Sequence, residues 1–305
     1  ENGGLNGTVH ADGSSTVFPI TEAVAEEFQG EHSGVRVTVG ISGTGGGFKK
    51  FTIGETDINN ASRTIKSSEI ALAKENGTDF IELPVAFDGI SILVNPRNDF
   101  VDTMTVTELK KIWNPESTVK KWSDIRRGWP NKPINLYGPG TDSGTFDYFT
   151  KAINGEERAC RADFTASEDD NVLVQGIAGD ENAMGYIGYA YYAENKSILK
   201  VVPIETETGP VAPSVETINN GTYRPLSRPV FIYVTTKAAD RPEVDAFVKY
   251  YMENAASLVT EVGYVPLPEE VYQLASERFE NRTPGSIFLG KKTAGVDLVD
   301  ILGSP

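Results

Sequence analysis

Thr8-Val-His-Ala-Asp-Gly-Ser-Ser-Thr-Val-Phe-Pro19 spells a strand, a turn and the start of a helix in one run. Thr8–Ala11 reads as the strand, and Gly13 with the hydroxyl residues Ser14, Ser15 and Thr16 as the turn. Pro19 suits a first helical turn, and Ile20, Val24, Ala25 and Phe28 supply an apolar stripe over Pro19–Phe28. The same design returns in Gly40-Ile-Ser-Gly-Thr-Gly-Gly-Gly-Phe48 and in Gly138-Pro-Gly-Thr-Asp-Ser-Gly-Thr-Phe146. Strands and helices that alternate through such short turns predict α/β layers.

Outward from the first turn, Val35–Ile41 alternates as a strand, Gly47–Ile53 reads as a helix and Asp57–Ala61 as a short strand. Ser67 is expected to cap a helix to Asn76, and Phe80–Val85 and Ile90–Val94 read as two strands. A second unit follows Asn95-Pro96-Arg97-Asn98. Its helix Val106–Trp113 lies behind Thr105, whose spacing to Glu108 fits a capping box. Further strands are expected at Ile134–Tyr137 and Ala183–Gly188, with helices at Phe146–Ala152 and Val172–Gly179. Thr206–Gly221 reads as loop, Pro229–Val234 as a buried strand, and Pro242–Asn254 and Ala255–Val262 as helices returning to the first domain. That predicts a discontinuous domain 1 (1–93 and 231–305), a domain 2 (94–230), and crossovers near Ile90–Asn95 and Val230–Thr235. The segment from Arg278, Gly-rich and polar, is expected to cover a surface.

Composition narrows the function. With 305 residues, the chain is long enough for two domains. Its longest apolar runs have strand length, far short of a membrane span. A net charge of −15 repels nucleic acid, and it would also repel a small anion unless the site is built from local donors. One cysteine, Cys160, excludes an internal disulfide or thiolate cluster, and two histidines, His10 and His32, give little for a nucleophile's base or a metal site. Glu168, Asp169 and Asp170 read as the acidic start of a helix.

The turns carry the chemistry. A helix opens with amides lacking intrahelical partners, backed by the positive end of its dipole, so a hydroxyl–glycine turn before a helix can cradle an anion. Any one of them could be a simple N-cap, but three at strand ends point to a tetrahedral oxyanion held by several amides and hydroxyls. No Gly-Lys-Ser/Thr sits at P-loop spacing, and Gly43–Gly47 is not a dinucleotide fingerprint.

Gly13-Ser-Ser-Thr-Val-Phe-Pro19, Ser42-Gly-Thr-Gly-Gly-Gly-Phe48, Ala61-Ser62-Arg63, Ala86-Phe87-Asp88-Gly89-Ile90, Leu109-Lys-Lys-Ile-Trp113, Asp142-Ser-Gly-Thr145 and Ala183-Met-Gly-Tyr-Ile-Gly188 resemble the phosphate-binding proteins of the phosphate-specific ABC transporter. The resemblance covers about residues 8–275. It implies a two-domain periplasmic-binding-protein fold of type II, with two crossover hinge segments and phosphate in a cleft between domains. It also implies a monomeric periplasmic or secreted location, membrane permease subunits as partners, and no cofactor, metal or catalytic residue. The positions matching phosphate contacts are Ser15, Thr16, Val17, Ser42, Thr44, Ser143, Gly144 and Thr145. The family's best-known members carry an aspartate where Arg63 stands and an arginine before the Ser-Gly-Thr, which the Gly138–Asp142 loop lacks. The expectation is a variant branch, similar to forms in marine and photosynthetic bacteria, in which Arg63 supplies the cation and Asp88 or Asp142 the carboxylate.

A guanidinium fork partly neutralises an oxyanion, and a carboxylate beside it accepts a proton that hydrogen phosphate carries and sulfate lacks. The competing readings are a binding protein for sulfate, molybdate or tungstate, and a phosphate-ester hydrolase.

Overall fold

Each of the three hydroxyl–glycine turns joins a strand to a helix in the computed structural model, which describes residues 4–141, 143–167, 169–289 and 298–303. The strands, in chain order, are β1 (Gly7–Gly13), β2 (Val35–Val39), β3 (Ile58–Ala61), β4 (Phe80–Val94), β5 (Asn135–Pro139), β6 (Thr165–Ser167), β7 (Ala183–Gly188), β8 (Lys200–Val201), β9 (Ile204–Thr206), β10 (Gly209–Val211) and β11 (Ser227–Thr235). The first helices are α1 (Phe18–Glu31), α2 (Gly43–Phe51), α3 (Ser67–Glu75), α4 (Val106–Trp113), α5 (Gly144–Asn154) and α6 (Asp170–Gly179). They are followed by α7 (Tyr189–Glu194), α8 (Val215–Asn219), α9 (Thr236–Ala239), α10 (Pro242–Glu261), α11 (Glu269–Glu280) and α12 (Leu298–Leu302). No described helix is long and apolar enough to cross a membrane.

Internal contacts divide the chain into two units, Glu1–Phe87 with Arg228–Pro305, and Asp88–Ser227. The divisions fall inside β4 and at the start of β11, a few residues before the boundaries 93/94 and 230/231 that the sequence suggests. β4 is buried along its whole length, so no change of composition marks the passage there.

In the first unit β1 lies parallel to both β2 and β3, with Val9 opposite Val37 and Ala11 opposite Ile58. β11 follows β3 in the sheet, antiparallel to it, with Phe231 opposite Ala61. The predicted stripe Ile20, Val24, Ala25 and Phe28 is the buried face of α1. α10 packs against it, the Phe28 ring meeting Phe247 edge-on at 5.3 Å. Each such fully buried side chain contributes about 1.5–3 kcal/mol, which fixes α1 over the sheet and so fixes where the turn before it points.

In the second unit Ile90–Val94 of β4 runs antiparallel to Gly188–Met184 of β7, β7 parallel to β5, and β5 parallel to β6. Phe149 of α5 stacks on Tyr186 at 3.7 Å, and Trp113 of α4 meets Tyr186 edge-on at 5.0 Å, holding both helices to one face of this sheet. The Thr105–Glu108 capping box forms as predicted: the Thr105 hydroxyl accepts from the Glu108 amide at 3.1 Å, and the Glu108 carboxylate accepts from the Thr105 amide at 2.9 Å.

Several local expectations are corrected. Phe80–Val94 is one strand, because Asp88-Gly89 is buried in the sheet and makes no turn. α2 starts at Gly43, not Gly47, and α3 is capped at Lys66, whose amide donates to the Glu69 carboxylate at 2.8 Å. Pro242–Glu261 is continuous, since the Asn254 side chain donates to the Tyr250 carbonyl at 2.9 Å and the helix runs past it. Thr206–Gly221, read as loop, holds β10 and α8, the latter capped by Ser214. The residues after Arg278 do more than cover a surface: Phe288 is fully buried.

Candidate functional site

The first turn is organised by Ser14. Its amide donates to the Asn60 carbonyl at 2.9 Å, and its hydroxyl accepts from the Thr16 amide at 3.2 Å. Ser15 beside it is half-buried, Thr16 is buried, and the Val17 side chain is fully inside the core, so Val17 can face a ligand only through its backbone.

The second turn is pressed against the first. Ser42 donates from its amide to the Gly13 carbonyl at 3.1 Å and from its hydroxyl to Asp12 Oδ1 at 2.6 Å. This approach requires glycine at two places. A Cβ on Gly47 would lie 2.0 Å from Asn59 Oδ1 and 2.6 Å from Gly13 Cα, and Gly13 itself has φ +130° against the Asn60 backbone. Thr44, in the first turn of α2, accepts from the Ser62 amide at 3.1 Å, and the two hydroxyls are 3.0 Å apart. Thr16, Val17, Ser42, Thr44 and Ser62 thus gather at the carboxyl ends of β1, β2 and β3, where open α/β sheets bind ligands.

The cations differ from expectation. The fork of Arg63 is engaged by Glu69, with Nη1 and Nη2 donating to its two oxygens at 2.9 and 2.8 Å, while Nη1 also donates to the Thr64 carbonyl. Its guanidinium lies over the Phe48 ring at 5.3 Å. The bidentate role assigned to Arg63 toward an anion is therefore taken by a neighbouring carboxylate. Lys50 pairs with Asp12 at 2.5 Å, and Arg161 is buried in the second unit on Asp163 and the carbonyls of Ile112 and Val119. Arg228, the second residue of β11, also reaches the first turn among the described residues, with Nη2 3.5 Å from the Thr16 hydroxyl. Sequence reading missed it because Thr16 is 212 positions away and only the β3–β11 pairing joins them.

In the second unit the third turn is an N-cap: Ser143 Oγ accepts from the Thr145 amide at 3.2 Å and the Ser143 carbonyl from Asp147 at 3.2 Å, placing Gly144 and Thr145 in the opening turn of α5. The loop lacks an arginine in sequence, yet Arg158, at φ +67°, reaches back to the Thr141 carbonyl at 2.8 Å and to Asp147 at 3.2 Å. Asp88 lies on β4 in this unit and is 2% exposed. Asp142 and Glu168 lie outside the described residues. Asp169 caps α6 by accepting from the Asn171 amide at 2.9 Å. Burial pushes the Cys160 thiol up to about 11, which leaves it a poor nucleophile.

A family model described as a PBP superfamily domain matches residues 2–255. Protein SphX of Synechococcus elongatus is 50% identical over 96% of this chain and 88% of its own length. The phosphate-binding protein PstS of Staphylococcus saprophyticus is 40% identical over 89% of this chain and 84% of its own. The chain belongs to the phosphate-binding protein family of the PBP superfamily. Among solved structures, a possible phosphate binding protein from Planctomyces limnophilus is 49% identical and superposes with a TM-score of 0.87 over 92% of this chain and 99% of that one. Membership makes this family member a binding protein and not an enzyme, with the two-domain periplasmic-binding-protein fold that the resemblance implied.

Asp12 is the electrostatic anchor between the first two turns of this family member. Burial pushes its carboxyl up, but hydrogen bonds from Lys50, Ser42 and the Gly13 amide together outweigh that and hold it below the usual aspartate value. A carboxyl lowered in the folded state stabilises the protein fully above its unfolded pKa of about 4, and that contribution is lost as pH falls through the lowered folded value. Melting temperature recorded across the acid limb should therefore fall less steeply for Asp12→Asn than for the native chain. Superimposable acid limbs would remove Asp12 from this role.

Proposed function

We propose that this chain binds one inorganic phosphate ion and, as the periplasmic or secreted receptor of an ABC-type importer, delivers it to membrane permease subunits. The observation that carries the reading is the set of donors at the strand ends. In the first unit these are the first and second turns, with Ser15, Thr16, Val17, Ser42 and Thr44, and Arg228 beside Thr16. In the second unit, taken by itself, the Ser143–Gly144–Thr145 cap has the same hydroxyl-and-amide design. Such donors replace an anion's hydration shell with fixed dipoles, which a chain of net charge −15 must do locally. The names of the relatives support phosphate as that anion.

The carboxylate assigned to the ligand, Asp88 or Asp142, selects by proton. Hydrogen phosphate can donate a proton to a carboxylate, whereas sulfate carries none and would meet it only as a like charge. Isothermal titration should show phosphate binding at one site per chain with micromolar or tighter affinity, and no competing heat from sulfate. Tight sulfate, molybdate or tungstate binding without phosphate binding would move the reading to those oxyanions. Turnover of a chromogenic phosphate ester would move it to a hydrolase.

A further inference from the structure

Away from the hydroxyl turns, the first unit buries a carboxylate. Glu82 on β4 is fully inaccessible. Its Oε2 accepts from the Tyr233 hydroxyl at 2.6 Å and the Ser286 hydroxyl at 2.7 Å, and its Oε1 from the amides of Ile287 at 2.8 Å and Phe288 at 3.3 Å. The chain after α11 is laid along β4 by further bonds. Arg278 donates to the carbonyls of Glu82 at 3.2 Å and Gly285 at 2.6 Å, and the Gly285 amide donates to the Phe80 carbonyl at 2.7 Å. Phe288 seats this strap by packing on Phe231 at 5.2 Å.

Tyr233 faces both ways. While donating to Glu82, its hydroxyl accepts from the Ile65 amide at 2.9 Å, just beyond Ser62 and Arg63. Its ring lies 4.9 Å from Phe48 of α2, the ring that carries the Arg63 guanidinium. A buried carboxylate is costly unless its acceptor sites are filled, and here three of the four donors come from the strap. With the strap unseated, Glu82 would be left with Tyr233, and that hydroxyl would be pulled from its position under Ile65. The seated strap and the Ile65 amide are thus linked end to end through two side chains, Glu82 and Tyr233.

We propose that Glu82 and Tyr233 form a positioning relay through which the C-terminal strap at Ser286–Phe288 fixes the Ser62–Ile65 segment and, through Ser62 and Thr44, the second anion-binding turn. The inference rests on the phosphate-binding reading for its functional consequence, though not for its structural one. Both are measurable on the full chain: phosphate affinity by titration, and hydrogen exchange of the Ile65 amide without ligand. Tyr233→Phe should weaken phosphate binding by about 2- to 30-fold and accelerate Ile65 exchange. Ser286→Ala should shift both in the same direction by less, and carries the test alone if Tyr233→Phe does not fold. Val248→Ala, a fully buried position on α10, should lower the melting temperature and leave both readouts unchanged. Native affinity with native Ile65 exchange in the folded relay variants would overturn the relay, as would an equal affinity loss in Val248→Ala. If the native chain takes up no phosphate, the proposed function fails instead, and Ile65 exchange alone judges the relay.

Discussion

Arg228→Ala is expected to weaken phosphate binding by roughly 30- to several-thousand-fold, the equivalent of about 2–5 kcal/mol for truncating one partner of a buried charged pair. The expectation follows from where β11 begins. Because β11 is antiparallel to β3, its first residues lie at the ends of the parallel strands that carry the turns, and Arg228 arrives beside the Thr16 hydroxyl at 3.5 Å. A planar fork there can meet two oxygens of a bound oxyanion, so Arg228→Lys should recover only part of the loss. Arg63→Ala is the informative contrast. Arg63 holds Glu69 and covers Phe48, so its removal should lower thermal stability and weaken binding less than Arg228→Ala does. The reverse order of affinities, measured by titration of both variants, would return the ligand cation to Arg63.

Gly47→Ala should be the most damaging small substitution in the first unit. The new methyl would meet Asn59 Oδ1 at 2.0 Å and Gly13 Cα at 2.6 Å, and both belong to strands that cannot yield without moving the sheet. Overpacking of this kind costs about 1–3 kcal/mol and sometimes more, at about 2–4 °C of melting temperature per kcal/mol in a chain of this size. Relief by lifting α2 would draw Ser42 and Thr44 away from Asp12 and Ser62, so phosphate affinity should fall with stability. Gly45→Ala, in the same helix, meets Arg63 Nη2 only at an ordinary 3.6 Å, and alanine favours helix over glycine by about 1 kcal/mol. That variant should melt no lower than the native chain. Equal melting temperatures for Gly45→Ala and Gly47→Ala would show that α2 does not depend on its close seat against β1.

Ser42, Thr44 and Ser143 could be singled out because a hydroxyl beside glycine at the start of a helix is a local signal, and the local backbone decides it. The capping box at Thr105 was readable for the same reason. The internal bonds of Ser14, to the Asn60 carbonyl and from the Thr16 amide, carry no local mark, because they depend on β3 lying opposite. The break expected at Asp88-Gly89 failed because burial in a sheet overrides turn propensity.

By itself the sequence determined the α/β alternation, the three turns and the need for local donors in an acidic chain, since periodicity and capping act over a few residues. That Arg228 reaches the Thr16 hydroxyl, that Glu69 engages Arg63, and that a carboxylate is buried at Glu82 were decided by tertiary structure alone. Those contacts depend on strand pairing and on the C-terminal segment returning to β4. Charges far apart in the chain carry no mark of their partners until a sheet brings them within hydrogen-bonding distance.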